Sequence, residues 1–336
     1  MITTIDRMLK RSFSVDTFIK DYEEELEYKS FAKDLDKYEN TMLKGLSEIV
    51  ERMKEQFYYT LKKKDVFNKP DEAKKLQLKY VGNFKEVLRD YLVKLHLDSK
   101  LNALRLLVKQ GVDIQISTNF AEIPIQPWEP VPPEEALDFF RRKVLARLVT
   151  SDGVKKLITL AVPEELDYYN ERAFYIAGVE RDFILNNAKD VIGKVIAGDI
   201  TRDEGMFELE MLFNRYIQDS QIERDTGLVS MSRLETIIRT NETEAINRGR
   251  KIMFDNPDVE DFVPYIRYRA ITDTRTRETH RAMHNRIYKK NNPIWEKISP
   301  PAGFNCRCFI VPVTSFEKVE ESNEDLPAGF PDEGFK

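Results

Sequence analysis

Hydrophobic residues recur at three- and four-residue steps over the first third of the chain. They do so from about residue 28 to 64 and again from about 72 to 110, while lysine and glutamate fill the opposite face. This spacing predicts two long amphipathic helices, which Pro70 separates and after which Gly111 ends the pattern. Because only a short connection joins them, we predict an N-terminal helical hairpin over residues 1–120.

Proline interrupts this pattern between residues 121 and 133. Five prolines fall within ten residues there, a density that no regular helix tolerates, so we predict an extended Pro-rich linker. Helical spacing resumes over 134–255 and predicts a helical body. Within that body we expect helices at about 164–177, 179–197, 202–218 and 232–250. Thr201 and Glu204 match a capping box at the start of the third of these helices.

The pattern changes again after Pro257. Residues 265–271 are rich in β-forming side chains and predict a strand, and residues 306–313 predict another. A short helix at about 276–287 lies between them, so we predict a small α+β unit over 256–314. Residues 315–336 combine many acids with proline and glycine, which predicts an acidic flexible tail.

The predicted fold is therefore mainly α, with a long helical N-terminal hairpin, a helical middle region and a small α+β C-terminal unit. The chain has 336 residues, and 53 Lys and Arg against 58 Asp and Glu give a formal charge of −5. This balance does not support DNA binding over the whole surface. No apolar window of about 18 residues occurs, so we expect no membrane span.

The chain also lacks an apolar signal core at its start, so we expect it to stay in the cytoplasm in which it is made. No dinucleotide-binding motif, phosphate-binding loop or nucleophile elbow occurs in the sequence. We therefore expect that the protein is not an enzyme.

Four residues with metal-binding side chains fall within 29 residues of one another: His280, His284, Cys306 and Cys308. A helix would place both imidazoles on one face, and a strand would place both sulfurs on one face. Two nitrogens and two thiolates form the ligand set of a closed structural zinc site. The Cys-x-Cys spacing is unusual for such a site, and a metal-free thiol pair beside a buried histidine is the alternative. A catalytic metal with three protein ligands and a water is a third hypothesis.

Other residues are expected to support this cluster. Asp273 and Arg275 belong to a polar turn, in which Asp273 can cap the short helix or accept hydrogen bonds from an arginine. The rigid turn that ends in Asn305 is expected to aim Cys306 at the helix, although its composition fits an ordinary surface turn equally well. Trp295 is expected to cover the small core.

A local excess of positive charge lies in the same region. Between Arg267 and Lys290 there are eight Arg and Lys against two acids, a net +6. This window suggests contacts to nucleic-acid phosphates through Arg267, Arg269, Arg281, Arg286, Lys289 and Lys290. In an acidic chain, a solvated face with internal salt bridges is the favoured alternative.

Three motifs in this region resemble the signature of the phage Mu protein F-like family. They are the run from Asp273 to His284, the Pro293-Ile294-Trp295 triplet and the run from Pro300 to Cys308. Upstream, residues 239–250 resemble the Arg-Thr-Glu helix that precedes this signature. The likeness is specific over about 230–313, loose over 133–230 and absent over 1–125. Asn285 stands where the family often has glycine.

The resemblance implies a minor head protein, involved in head morphogenesis of a tailed bacteriophage. Such a protein would associate with the portal protein and other head proteins, and it would influence head assembly and DNA delivery. It would be found in the virion, and in the host cytoplasm during assembly, with packaged DNA as a further candidate partner. No small-molecule substrate is implied, and zinc is the one cofactor that the residues suggest. The alternative is a metal-dependent enzyme or a DNA-contacting module built on the C-terminal unit.

Overall fold

The structure is a computed structural model. It describes residues 15–112, 114–115, 133–142, 145–149, 155–217 and 233–335. The chain divides into two compact units, residues 1–41 and 42–336. In the first unit, the described residues form the beginning of a long helix, α1. The remaining elements belong to the second unit.

Helices account for most of the described chain. They are α1 (Val15–Lys64), α2 (Pro70–Lys74), α3 (Val81–Lys109), α4 (Pro133–Arg142), α5 (Pro163–Ala197), α6 (Arg202–Ile217), α7 (Arg233–Phe254), α8 (Glu278–Arg281) and α9 (Trp295–Ile298), with a 3-10 turn at Glu260–Phe262. The strands are β1 (Ile114–Gln115), β2 (Leu145–Val149), β3 (Lys155–Thr159), β4 (Tyr265–Arg269), β5 (Ile287–Lys289) and β6 (Phe309–Val313). Among these helices, none combines the length and apolarity that crossing a membrane requires.

The central element of the larger unit is α3, which packs against α7, α5 and α4. Its buried residues lie on more than one face, because hydrophobic side chains are spread around the helix rather than confined to one stripe. The approach of α3 to α7 depends on Gly249. A Cβ at this position would lie 2.6 Å from the carbonyl oxygen of His96 on α3. The second half of α1 packs elsewhere, with Phe57 5.6 Å from the ring of Phe213 on α6.

The predicted fold class is confirmed, since the chain is mainly helical and ends in a small α+β unit. The capping box is also confirmed: Glu204 N donates to Thr201 Oγ1 at 3.2 Å, and Thr201 N donates to the Glu204 carboxylate at 2.7 Å. The predicted helices at 164–177 and 179–197 are one helix, α5, because Gly178 continues the helix instead of ending it. The hairpin over 1–120 and the other domain boundaries stay predictions, and the linker at 121–133 lies outside the described residues up to Pro133, where α4 begins.

A sheet in the middle region was not predicted. Strands β1, β2 and β3 form it in that order, and β2 pairs antiparallel with β3 from Leu145 opposite Thr159 to Val149 opposite Lys155. The predicted helical body over 134–255 is therefore wrong for these residues. Each of the two longer strands has only five residues and no strict alternation of apolar and polar side chains, so hydrophobic periodicity could not identify them.

A buried polar network fixes α3 to the start of α5. The side chain of Lys100 is 1% exposed, and its ammonium donates to the Glu165 carboxylate and to the carbonyl oxygen of Leu160 at 2.9 Å. Next to it, the Tyr169 hydroxyl lies 2.9 Å from Nδ1 of His96. Burial lowers the pKa of His96 to about 4, so this ring is neutral at pH 7. Because the charges of Lys100 and Glu165 are both desolvated, the burial of each one depends on the presence of the other.

We expect Lys100→Met to destabilise the protein by about 3–5 kcal/mol, since it leaves the buried Glu165 carboxylate without its cation. The double variant Lys100→Met/Glu165→Leu should recover most of that loss, because an apolar pair of similar size replaces the ion pair. Urea unfolding followed by circular dichroism measures both. The exposed Lys74→Met is the control and should shift the unfolding midpoint little. A double variant no more stable than the single one would contradict this role.

Candidate functional site

One face of α7 consists of polar side chains directed at the segment 306–314. Thr243, Asn247 and Arg250 lie at four- and three-residue steps, which places them on one side of the helix. The Thr243 hydroxyl donates to the carbonyl oxygen of Cys306. The Asn247 amide donates to the carbonyl oxygen of Cys308 at 3.0 Å and accepts from the Ile310 amide at 2.8 Å. These side chains replace a neighbouring β-strand as hydrogen-bond partners.

The same pairing continues along β6. The Arg250 guanidinium donates to the carbonyl oxygen of Ile310 at 2.9 Å and lies over the ring of Phe309 at 4.9 Å. Further on, Gln110, just after α3, donates to the carbonyl oxygen of Pro312 at 3.0 Å and accepts from the amide of Thr314 at 3.1 Å. Strand β6 is the edge of its sheet, and buried edge groups without partners would be costly. The helical body therefore provides partners for the outer edge of β6 at every second residue.

The small sheet has the order β5-β4-β6, and both neighbours run antiparallel to β4. Trp295 lies against it: the indole is 5% exposed, its Nε1 donates to the carbonyl oxygen of Lys289 at 3.0 Å, and its ring meets Tyr288 edge-on at 5.9 Å. Because β6 is held by α7 on one edge and by β4 on the other, the loop that precedes it is also fixed in position.

That loop carries both cysteines, and the structure places them beside His280. Nδ1 of His280 lies 3.6 Å from Sγ of Cys306 and 3.5 Å from Sγ of Cys308. All three side chains are buried, and their donor atoms lie within 4.8 Å of one another. The amide of Cys308 also lies 3.4 Å from Sγ of Cys306 and donates to it. The predicted strand at 306–313 included both cysteines, whereas β6 begins at Phe309, after them. Their sulfurs nevertheless converge.

His284 was predicted as a fourth member of this cluster, and the structure places it elsewhere. The predicted helix at 276–287 is only the single turn α8, so His280 and His284 do not share a helical face. Nδ1 of His284 instead lies at the backbone of Ala270, 3.0 Å from its carbonyl oxygen and 3.2 Å from its amide nitrogen. The turn that follows α8 passes through Asn285, which adopts φ +68°. Glycine favours this left-handed conformation and asparagine tolerates it, so the departure from the family pattern preserves the turn.

A residue that the sequence did not identify completes the surroundings of His280. Nε2 of this ring lies 3.3 Å from Oδ1 of Asp332 and 3.4 Å from the guanidinium of Arg277. The amide of Asp332 donates to the carbonyl oxygen of Ala302 at 2.9 Å. The approach of this carboxylate depends on Gly303, because a Cβ there would overlap it.

Asp332 lies in the stretch that was predicted to be an acidic flexible tail, and the structure differs from that prediction. The side chain of Phe330 is 6% exposed and its ring meets His280 edge-on at 5.1 Å. The Glu321 carboxylate accepts hydrogen bonds from Asn292 at 2.8 Å and from the amide of Lys289 at 3.1 Å. Acids that suggested a solvated tail therefore bind basic and amide groups of the small unit.

The cluster has unusual acid–base properties. Burial would raise the pKa of the Cys306 thiol, but hydrogen bonds from Cys308 and His280 outweigh it and hold that pKa well below its ordinary value. Burial raises the pKa of Cys308 well above its ordinary value, and the neighbouring Cys306 thiolate adds to this effect. Burial would lower the pKa of His280, but the hydrogen bond with Cys306 raises it overall. The arrangement thus stabilises a thiolate, the form in which cysteine binds metals.

Asp273 holds the turn that forms one wall of the cluster. Its Oδ1 accepts hydrogen bonds from Arg307 at 2.5 Å, from the amide of Arg275 at 3.1 Å and from the Thr276 hydroxyl at 3.1 Å. Burial would raise the pKa of this carboxyl, but the hydrogen bond from Arg307 outweighs it and keeps the pKa low. Because Arg307 lies between the two cysteines, this ion pair joins the turn to the cysteine loop.

Asn305 fixes the start of the cysteine loop. It adopts φ +59°, which makes it the left-handed residue of the turn. Its amide donates to the Thr240 hydroxyl at 3.1 Å, and its side-chain Nδ2 lies 3.4 Å from the Thr236 hydroxyl. The turn before the cysteines is therefore tied to α7 as well.

The six residues that were predicted as nucleic-acid contacts do not form a free basic face. Their side chains are mostly bound to the protein itself: Arg267 to Glu317, Arg269 to Asn285, Arg281 to the carbonyl oxygen of Asp273, Arg286 to the carbonyl oxygen of Asp325 and Lys290 to the carbonyl oxygen of Phe254, while Lys289 is exposed. The alternative of a face with internal salt bridges fits these contacts better, because donors that are bound within the protein are not available to phosphates.

The fold and the site together describe a helical body that carries a small Cys- and His-containing unit on one polar helix. Residues 214–311 match the family described as Phage Mu protein F like protein. The chain is 30% identical over 158 residues to the Mu-like prophage FluMu F protein of Haemophilus influenzae, covering 46% of this chain and 37% of that protein. It is also 30% identical over 188 residues to the putative capsid assembly protein F of Escherichia phage Mu, covering 54% of this chain and 40% of that protein.

The resemblance that the motifs indicated is confirmed, since residues 214–311 match the phage Mu protein F-like family. The matching parts span about two fifths of the length of these two relatives. No solved structure matches the chain with significance. The matched residues include α7, both cysteines and His280, whereas Asp332 lies beyond them.

We expect Asn247→Leu to destabilise the protein by about 2–4 kcal/mol, because it leaves the buried carbonyl of Cys308 and the buried amide of Ile310 without partners. Chemical unfolding measures the loss. Arg248→Met is the control, since Arg248 is the exposed neighbour on the same helix; the change removes its contact with the Tyr168 ring at 3.8 Å but leaves the partners of segment 306–314 in place. If both variants lose the same stability, the polar face of α7 does not hold the segment in the way described.

Proposed function

We propose that the protein acts in the assembly of a tailed-phage head, as a minor head protein that associates with the portal. The match over residues 214–311 carries this proposal. One matching relative is named a putative capsid assembly protein, and the match to it covers more than half of this chain. The shared residues include α7 and most of the unit that α7 holds, so the likeness concerns a folded and buried arrangement rather than a surface motif.

The geometry of the cluster supports a structural role over the turnover of a small molecule. The cavity at the cluster has a volume of about 20 Å³ and is lined by Thr276, Arg277, Asn305 and Arg307 in addition to the cluster itself. Such a space holds about one water molecule, whereas small-molecule sites measure roughly 300–1,000 Å³. This observation favours assembly over the metal-dependent enzyme that the ligand types alone would allow.

The internal contacts of the basic residues likewise make DNA the less favoured partner. Five of those six side chains bind groups of the same chain, so phosphate contacts would have to break existing hydrogen bonds. We therefore propose a role in head assembly and DNA delivery that works through contacts to the portal and other head proteins, in the virion and in the host cytoplasm during assembly.

The test is affinity purification of the tagged full-length protein from cells that produce the head proteins of its phage. We expect portal protein to co-purify, and to remain bound after nuclease treatment. A parallel culture without the portal gene is the control, and head proteins should be lost from it.

Two results would separate the parts of this proposal. Head proteins that co-purify equally without the portal would contradict portal association and leave head assembly in place. Complete heads that form without the protein, and that never contain it, would contradict the assembly role itself. Binding that disappears with nuclease or rises steeply as salt is lowered would indicate DNA as the partner.

A further inference from the structure

We propose that His280, Cys306 and Cys308 bind one zinc ion through Nδ1 and the two sulfurs, with water as the fourth ligand and with Asp332 orienting the imidazole. This proposal does not depend on the assembly role. It differs from a four-residue site with His284, because the ring of His284 is bound to the backbone at Ala270.

The two distances from Nδ1 of His280 to the sulfurs carry the proposal. Zinc binds sulfur at ~2.3 Å and imidazole nitrogen at ~2.0 Å, so the edge between S and N in a tetrahedral site is about 3.5–3.6 Å. The two observed distances from Nδ1 of His280 are 3.6 Å to Cys306 and 3.5 Å to Cys308. A single Nδ1 hydrogen either points at one sulfur or is shared between both in a three-centre bond that is weaker to each. Nearly equal distances to both sulfurs fit one ion between the three atoms better than one hydrogen bond.

The chemistry of the donors selects the metal. Two cysteine sulfurs, which lose their protons when they bind metal, and an imidazole are soft and borderline ligands that favour zinc over magnesium or calcium. The amide of Cys308 donates to Sγ of Cys306, as second-shell groups do at metal-bound sulfur. The chain has only two cysteines, and both lie in this site.

Nε2 of His280 is also positioned in a way that supports metal binding through Nδ1. A metal on Nδ1 requires the hydrogen on Nε2, and Asp332 offers a carboxylate oxygen 3.3 Å away to accept it. Metal-bound histidines commonly have such an acceptor, which fixes the tautomer and the ring orientation. The guanidinium of Arg277 lies 3.2 Å from the other oxygen of Asp332, which favours the ionised carboxylate. Phe330 packs edge-on against the same ring.

The small cavity is lined by all three proposed ligands, so a fourth ligand would lie there. Its volume of about 20 Å³ is sufficient for one water. A zinc ion in this place would join α8 to the cysteine loop and, through Asp332, to the last residues of the chain. A unit of this size has a small core, so a metal would supply stability that packing alone does not.

The first experiment measures metal in the full-length protein purified without chelators. We expect about one zinc per chain by mass spectrometry of the metal. After exchange to cobalt(II), we expect near-ultraviolet absorption from thiolate-to-cobalt charge transfer, which only these two cysteines can produce. This spectrum requires no variant and so does not depend on whether variants fold.

The second experiment uses variants, each compared with wild type by circular dichroism. Cys306→Ser and Cys308→Ser should lose the zinc and the cobalt band, whereas the matched control His284→Gln should keep both. Asp332→Asn should still bind zinc, with affinity lowered about tenfold to hundredfold in competition with a chromogenic chelator.

Three results would overturn the proposal. The first is wild-type protein that binds neither zinc nor cobalt from buffered metal solutions; the cluster is then a hydrogen-bonded staple. The second is zinc content that survives replacement of both cysteines, which would place the metal elsewhere. The third is loss of zinc in a folded His284→Gln variant, which would restore the four-residue site.

Discussion

The C-terminal unit depends on one constraint: the outer edge of β6 is buried, and its backbone groups need partners that no further strand of the described residues supplies. Side chains from α7, together with Gln110 just after α3, provide them at alternate residues from Cys306 to Thr314. A buried carbonyl or amide without a partner costs about 1–3 kcal/mol. The free energy lost by leaving the whole set unpaired would therefore exceed what the small net stability of a domain allows. The polar residues on α7 are thus a structural requirement, although polar residues in a helix usually mark its solvent-facing side.

This constraint also explains where the cluster lies. Thr243 and Asn247 hold the carbonyl groups of the two cysteines, which fixes the direction of both sulfurs. Gly249 lets α3 approach the same helix, and the Lys100–Glu165 pair fixes α3 to α5. The position of the sulfurs is therefore determined by the helical body, while His280 and Asp332 come from the small unit. The cluster lies where the two parts of the larger unit meet.

Much of this arrangement follows from the sequence. The long helices were predicted because their apolar residues recur with the helical period, and His280, Cys306 and Cys308 were grouped because they are rare residues close together. His284 was misplaced since its role assumed a helix longer than the single turn that Asn285 ends. Asp332 could not be identified, because one acid among many in a stretch without periodicity carries no signal. The sheet of β1, β2 and β3 was not predicted, because its strands are short and their apolar and polar side chains do not alternate.

In this structure α7, and not a further strand of the described residues, protects the outer edge of β6. Amide hydrogen exchange at Ile310 tests it most directly, since this amide donates to the side chain of Asn247. We expect the Ile310 amide to exchange as slowly as the buried amides of α7, through the same unfolding event. Exchange at Ile310 as fast as in an exposed turn, while the amides shared between β4 and β6 stay protected, would contradict it.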